Sequence, residues 1–182
     1  MTSPFQIFVV EDNEWYGELL CHRLSQNPDH VVQRFTTAAD CLEHLGERPD
    51  LITLDYSLPD AKGEQLLRQI QARLPGVAVI VISGQEDVST AVTLLRDGAY
   101  DYLVKNDDTL PRLWNIVGKV EQQVRLRREN ELLRQQIGAR YAAAQAILGE
   151  HPSIRQLHGL IAKAARTNIT VSISGETGTG KE

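Results

Sequence analysis

At 182 residues the chain is long enough for one full domain and part of a second. Apolar residues make up 42% and charged residues 24%, and no apolar run approaches the roughly 20 residues that span a bilayer, which excludes a membrane-embedded class. A net charge of −5 removes the electrostatic case for a nucleic-acid-binding module within these residues.

The N-terminal stretch MTSPFQIFVVEDN lacks the basic and apolar regions of a secretory signal, so a cytoplasmic location is expected. Ile7 to Val10, Val31 to Phe35, Leu51 to Leu54, Val77 to Ile82 and Tyr102 to Val104 read as strands. Helical spacing separates them: Leu19, Leu20 and Leu24; Leu66, Leu67, Ile70 and Leu74; then Val88, Ala91, Val92 and Leu95, each set read as one apolar face. Turn residues fall between, at Asn27-Pro28-Asp29, Arg48-Pro49-Asp50, Leu58-Pro59-Asp60, Pro75-Gly76 and Asp97-Gly98. Near-continuous apolar strands are buried on both faces, as in parallel sheets, and five such βα units imply an α/β, doubly wound open sheet. The two cysteines, Cys21 and Cys41, fit neither a disulfide framework nor a zinc spacing and are expected to be reduced, partly buried thiols.

A last helix begins near Thr109, with Leu110, Leu113, Val117, Val120 and Val124 spaced to pack on the sheet, and it continues past Arg125. Between Lys119 and Arg140 six Lys/Arg stand against three Asp/Glu. There the apolar seam moves to Leu126, Leu133 and Ile137 with Asn130 between them, an a/d pattern with a register-setting Asn. A parallel dimer seam and a solvated linker helix both fit so short a run.

Further on, Pro152 opens a helical pattern with Ile154, Leu157, Ile161 and Ala164 on one face. Ile169 to Ser174 reads as a strand running into GETGTGKE. That segment fits the phosphate-binding G-x-x-x-x-G-K loop through Gly175, Gly180 and Lys181, with Gly178 inside it and Glu182 where Ser or Thr is common. A flexible glycine-rich connector is the plainer alternative. The helix whose N-terminus would cradle phosphates does not follow within the sequence, so this chain is not expected to hydrolyse ATP. Residues beyond about Thr167 are expected to be poorly ordered.

Ligands of open α/β sheets sit beyond the carboxyl ends of the strands. Glu11 and Asp12 stand after the first strand, Asp55 after the third, Ser83 after the fourth and Lys105 after the fifth. One acidic residue at a strand end is ordinarily a cap or turn residue. Five polar groups converging on one crevice call for another account. Three carboxylates brought together repel unless a cation lies between them, and an all-oxygen set favours Mg²⁺. A lysine and a hydroxyl beside that ion suit phosphoryl oxygens.

These residues, in VVEDN, DLITLDYSLPDAKG, VIVISG and GAYDYLVK, resemble the receiver domain of two-component response regulators over about residues 5 to 125. The resemblance implies a receiver-like, flavodoxin-type five-stranded parallel sheet of order 2-1-3-4-5. It implies Asp55 as phosphoacceptor, with Mg²⁺ held by Glu11, Asp12, Asp55 and the backbone carbonyl of Ser57. Ser83 would be the switch hydroxyl, Tyr102 the switch aromatic and Lys105 the phosphate-sensing lysine, and a sensor histidine kinase the phosphoryl donor. Asn106 departs from the family pattern, which has Pro after the lysine.

The stretch I-x-G-E-H-P-S-I-R-Q-L followed by GETGTGKE resembles the start of the AAA+ domain of sigma-54-dependent activators of the nitrogen-regulator class. The organisation expected is a receiver domain over 1–125, a linker helix over 126–145 able to form a homodimer, and the N-terminal part of an AAA+ domain over 146–182. ATP, sigma-54 RNA polymerase and DNA would be engaged only by a longer protein. Two other readings compete, one an enzyme and one a nucleotide binder. A Mg²⁺-dependent phosphatase with Asp55 as nucleophile would want a second Asp nearby as acid/base, and position 57 is Ser. A P-loop nucleotide binder would melt higher with ATP, and no such shift is expected.

Overall fold

The structure, a computed structural model, describes residues 4–84, 87–144 and 151–164, with residues 170 and 172. The chain divides into two compact units, Met1–Glu129 and Asn130–Glu182. In the first, strands β1 (Phe5–Val10), β2 (His30–Phe35), β3 (Leu51–Asp55), β4 (Ala78–Ser83) and β5 (Asp101–Val104) alternate with helices α1 (Glu14–Leu24), α2 (Ala38–His44), α3 (Gly63–Arg73), α4 (Val88–Arg96) and the start of α5 (Thr109–Ala144). All pairings are parallel, in the order β2-β1-β3-β4-β5.

Period-two alternation along the strands builds two cores. Ile7 and Val9 of β1 and Ile80 and Ile82 of β4 face α1 and α5, where Leu20, Leu24, Leu113, Val117 and Val120 close one layer. Phe8, Val10, Ile52, Leu54, Val79 and Val81 face the opposite way, onto Cys41, Leu66, Leu67, Ile70 and Leu94 of α2, α3 and α4. Strands covered on both sides have no solvent face to keep polar, which is why they read as unbroken apolar runs.

α4 corrects the sequence reading. Its stripe Val88, Val92 and Leu95 lies outside, from 46% to 77% exposed, while Leu94 is the buried residue of the helix. VSTAVTLLR carries two apolar arcs, and periodicity alone does not choose between them. With Tyr100, also exposed, the outer arc leaves apolar surface on the molecule.

α5 packs through Leu113, Ile116, Val117, Val120 and Val124 and continues as one helix to Ala144. Beyond Val124 the chain is still tied to the sheet. Nη2 of Arg128 donates to both carboxylate oxygens of Asp50, each at 2.9 Å, and Asp50 also accepts the Gln6 N–H at 3.0 Å. Leu126, Leu132 and Leu133 are exposed. In the second unit α6 (Pro152–Ala164) exposes Leu157, Leu160 and Ile161. The side chain of Ile137, the strand read at Ile169 to Ser174 (apart from residues 170 and 172), and the phosphate-loop residues Gly175, Gly178, Gly180, Lys181 and Glu182 lie outside what the structure describes.

Candidate functional site

Parallel register delivers the polar residues to one end of the sheet. β1 and β3 pair up to Val10 and Leu54, so Glu11 and Asp55 emerge side by side. β4 and β5 pair up to Ser83 and Val104, and the Lys105 N–H continues the ladder onto the Ser83 carbonyl at 2.7 Å. Loops then fix the aim of each side chain. Asn13 caps α1 by accepting the Tyr16 N–H at 2.9 Å, so the helix begins immediately after the acidic pair. The loop after β3 folds back on itself through a bridge between Ser57 and Lys62, and the Gly63 N–H donates to the Tyr56 carbonyl at 2.8 Å. A Cβ at Gly63 would stand 2.9 Å from the Tyr56 Cα, so this closure needs glycine.

Glu11, Asp12 and Asp55 each present a carboxylate oxygen, and these atoms lie within 4.8 Å of one another. Glu11 is 1% exposed and Asp55 7%, whereas Asp12 faces solvent. One ammonium serves the two buried acids. Lys105 Nζ donates to Glu11 Oε2 at 2.8 Å, to Glu11 Oε1 at 3.0 Å and to Asp55 Oδ2 at 3.0 Å. Burial pushes the Glu11 carboxyl above its usual pKa, and the Asp55 charge adds to this against the pull of Lys105. Burial works against the Lys105 charge as well, but the two carboxylates outweigh it and hold the ammonium above its usual pKa.

Three acids and one lysine leave the cluster two negative charges in excess. A hard divalent cation that takes carboxylate and carbonyl oxygens answers that excess, and the donor set is compatible with Mg²⁺. Ser57, exposed in the loop, follows Asp55 by two residues and donates its N–H to Asp55 Oδ1 at 3.3 Å. Ser83 is buried at the end of β4. Tyr102 is half-buried on β5, packed with Tyr56 against the core shared with α4.

Where a proline is expected after the lysine, Asn106 builds the turn with hydrogen bonds. Its N–H, which a proline lacks, donates to Thr109 Oγ1 at 2.8 Å, and its side-chain oxygen accepts the Asp108 N–H at 3.1 Å. The buried Thr109 hydroxyl in turn donates to the Val104 carbonyl, so the start of α5 is pinned to the end of β5.

Two neighbours of the site were not legible as such in the sequence. Asp60, in the loop after β3, caps α2 from outside by accepting the N–H groups of Ala38 and Ala39, each at 2.9 Å. Tyr16 lies with its ring under Lys105 Nζ, 4.6 Å from the ring centre. The signal for Tyr16 was an aromatic in the first turn of the helix that follows the acidic pair.

The sequence model of the response regulator receiver domain matches residues 7–113, and that of the sigma-54 interaction domain matches residues 147–182. The chain is 33% identical over 178 residues to the DNA-binding transcriptional regulator NtrC of Escherichia coli K12, covering 97% of this chain and 36% of that protein. It is 38% identical over 141 residues to the response regulator protein PilR of Pseudomonas aeruginosa, covering 77% of this chain and 29% of that protein. The chain thus spans about a third of the length of the curated relatives it matches. Among solved structures, the receiver domain of a LuxO repressor protein from Vibrio parahaemolyticus superposes with a TM-score of 0.65 at 27% identity, covering 70% of this chain and 98% of that one. NtrX from Brucella abortus superposes with a TM-score of 0.61 at 29% identity, covering 90% of this chain and 35% of that one.

Proposed function

The chain belongs to the response regulator receiver family and carries the start of a sigma-54 interaction domain, and from that premise we propose that Asp55 accepts a phosphoryl group from a phosphohistidine of a sensor histidine kinase. An Asp55 oxygen forms the new bond to phosphorus in line with the departing imidazole. The P–N bond breaks, and its electron pair returns to the ring nitrogen, which takes up a proton. Glu11, Asp12, Asp55 and the Ser57 carbonyl would hold Mg²⁺, which when bound offsets the charge on the phosphoryl oxygens. Lys105 supplies a fixed positive charge to those oxygens, and Ser83 a hydroxyl donor.

The observation that carries this reading is the pairing of Asp55 and Glu11 through one ammonium, with Asp12 close enough to share a cation. The aspartyl phosphate brings up to about two negative charges into that setting, so Lys105 has reason to leave the carboxylates for the phosphoryl oxygens. Movement of Ser83 toward the same oxygens opens space for Tyr102 to turn inward. The outer arc of α4, with Val88, Val92 and Leu95, is the surface whose partners that change would select.

On this reading the organisation is a receiver domain over 1–125, a linker helix over 126–145 that dimerises through Leu126 and Leu133, and the front of an AAA+ domain over 146–182. The chain is a regulatory module and not itself an enzyme. In a longer protein it controls an ATPase that acts on sigma-54 RNA polymerase at DNA, in the cytoplasm, with Gly175, Gly178, Gly180, Lys181 and Glu182 on the ATP phosphates. No helix among the described residues is long and apolar enough to cross a membrane.

Intact mass after incubation with acetyl phosphate and Mg²⁺ tests the assignment. The unmodified chain gains one phosphoryl group, while Asp55→Asn and the unmodified chain in EDTA gain none. An equal gain in Asp55→Asn would move the acceptor elsewhere.

A further inference from the structure

We propose that Tyr16 is a positioning residue for phosphoryl transfer, its ring face holding the Lys105 ammonium over Asp55. This rests on the reading of Asp55 as phosphoacceptor. A lysine side chain has four rotatable carbons and a strongly hydrated head, so left to itself it points to water. Lys105 does not. Its side chain is 22% exposed, and its Nζ has two kinds of neighbour. The oxygens of Glu11 and Asp55 lie at 2.8–3.0 Å, and Nζ stands over the Tyr16 ring, 4.6 Å from the ring centre. That distance is well inside the range in which a ring face attracts a cation, and the attraction grows as the pair loses water.

The ring itself is fixed. Tyr16 sits in the capped first turn of α1, where Asn13 accepts its N–H at 2.9 Å. Its side chain packs against the core layer of α1 and α5. Its hydroxyl is buried near Thr109 without a hydrogen bond of normal geometry, and it is the ring that meets Lys105.

When Asp55 takes the phosphoryl group, the carboxylate contacts that hold the ammonium are exchanged for phosphoryl oxygens. The ring face remains. It keeps the ammonium at the same height above the pocket through the exchange, so Lys105 needs no search for its new partners. Loss of the ring is therefore expected to lower the rate at saturating phosphoryl donor, where transition-state charge is neutralised, and to leave the half-saturating donor concentration nearly unchanged.

The experiment follows phosphorylation of the whole chain by acetyl phosphate in Mg²⁺ for the unmodified protein, Tyr16→Leu, Tyr16→Phe, Lys105→Met and the double variant Tyr16→Leu with Lys105→Met. Tyr16→Leu is expected to slow the saturated rate by about 5-fold, within the range a desolvated cation–ring contact supports. Tyr16→Phe, which keeps the ring face, restores the rate to within about twofold, and in the Lys105→Met background Tyr16→Leu has no further effect beyond about twofold.

A spectroscopic signature accompanies the kinetics. Ring-current shifts of the Lys105 ε-methylene protons should be present in the unmodified protein and Tyr16→Phe and lost in Tyr16→Leu. A Tyr16→Leu protein that melts normally and reacts at the unmodified rate overturns the proposal. So does an equal slowing with and without Lys105, which would mark Tyr16 as merely structural. If the unmodified chain takes no phosphoryl group at all, the phosphoacceptor reading fails, and the ring-current shifts alone decide whether Tyr16 holds Lys105.

Discussion

Replacing Lys105 with Met removes the one ammonium that Glu11 and Asp55 share and leaves a methylene chain of similar length in its place. The cost follows from the geometry. Charges about 3 Å apart at an effective dielectric of about 20 attract by roughly 5 kcal/mol per pair, and most of that is offset by stripping water from the ammonium and the carboxylates. Breaking a fully buried pair ordinarily costs about 3–5 kcal/mol. Lys105 keeps 22% exposure and Glu11 only 1%, so water screens one partner and not the other, and a loss of about 2 kcal/mol is expected. For a unit of this size that is roughly 6–12 °C in Tm.

The loss should depend on metal. With Lys105 gone, three carboxylates within 4.8 Å of one another lose the ammonium that bridges Glu11 and Asp55, so Mg²⁺ should bind more tightly and recover more stability than in the unmodified protein. Thermal unfolding by circular dichroism in EDTA and in Mg²⁺ gives both quantities from four melts. Lys105→Met is expected to melt lower in EDTA and to show the larger rise with Mg²⁺. A variant that melts as high as the unmodified chain in EDTA, or gains no more from Mg²⁺, would refute the view that this ammonium compensates the acidic cluster.

Asp60→Ala should cost about 1 kcal/mol at pH 7, since two N–H groups at the start of α2 lose their acceptor. Burial works to raise the Asp60 pKa, but the N–H groups of Ala38, Ala39 and Asp60 itself outweigh it and hold it below the usual 3.8. A carboxyl with a depressed folded-state pKa stabilises above its unfolded pKa and loses that contribution as the pH falls toward the folded value. Urea unfolding at pH 7 and below pH 3.8 should therefore show the gap narrowing, and a pH-independent gap would contradict the cap. Cys41 should resist iodoacetamide at pH 8 in the folded protein and react once urea is added, because burial and the neighbouring Asp40 push its thiol up to about 12. Equal native alkylation of Cys21 and Cys41 would contradict this. Arg128→Ala should cost no more than about 1 kcal/mol of stability, as expected of a pair whose arginine is exposed, yet speed amide exchange in the turns of α5 around residue 128. Unchanged protection there would mean that Asp50 does not anchor the helix.

What the sequence exposed and what it withheld divide along a physical line. Ile7–Val10, Leu51–Leu54 and Val77–Ile82 were legible as parallel strands because burial on both faces leaves a composition signal that needs no partner to interpret. Glu11, Asp55, Ser83 and Lys105 were legible because an open α/β sheet puts every strand's carboxyl end on one edge, so order along the chain already implies neighbourhood. The outer arc of α4 was misread because amphipathicity states that a helix has an apolar face and not which neighbour meets it. Asp60 and Tyr16 went unread for a further reason. Each acts across a gap that only the folded chain closes: Asp60 reaches back 22 residues to Ala38, and Tyr16 meets a lysine 89 positions away on the fifth strand's end. Such contacts leave no periodicity and no motif. If Tyr16 sets how firmly Lys105 is held, then the speed of the switch can be tuned at a position outside the set of residues that defines its chemistry.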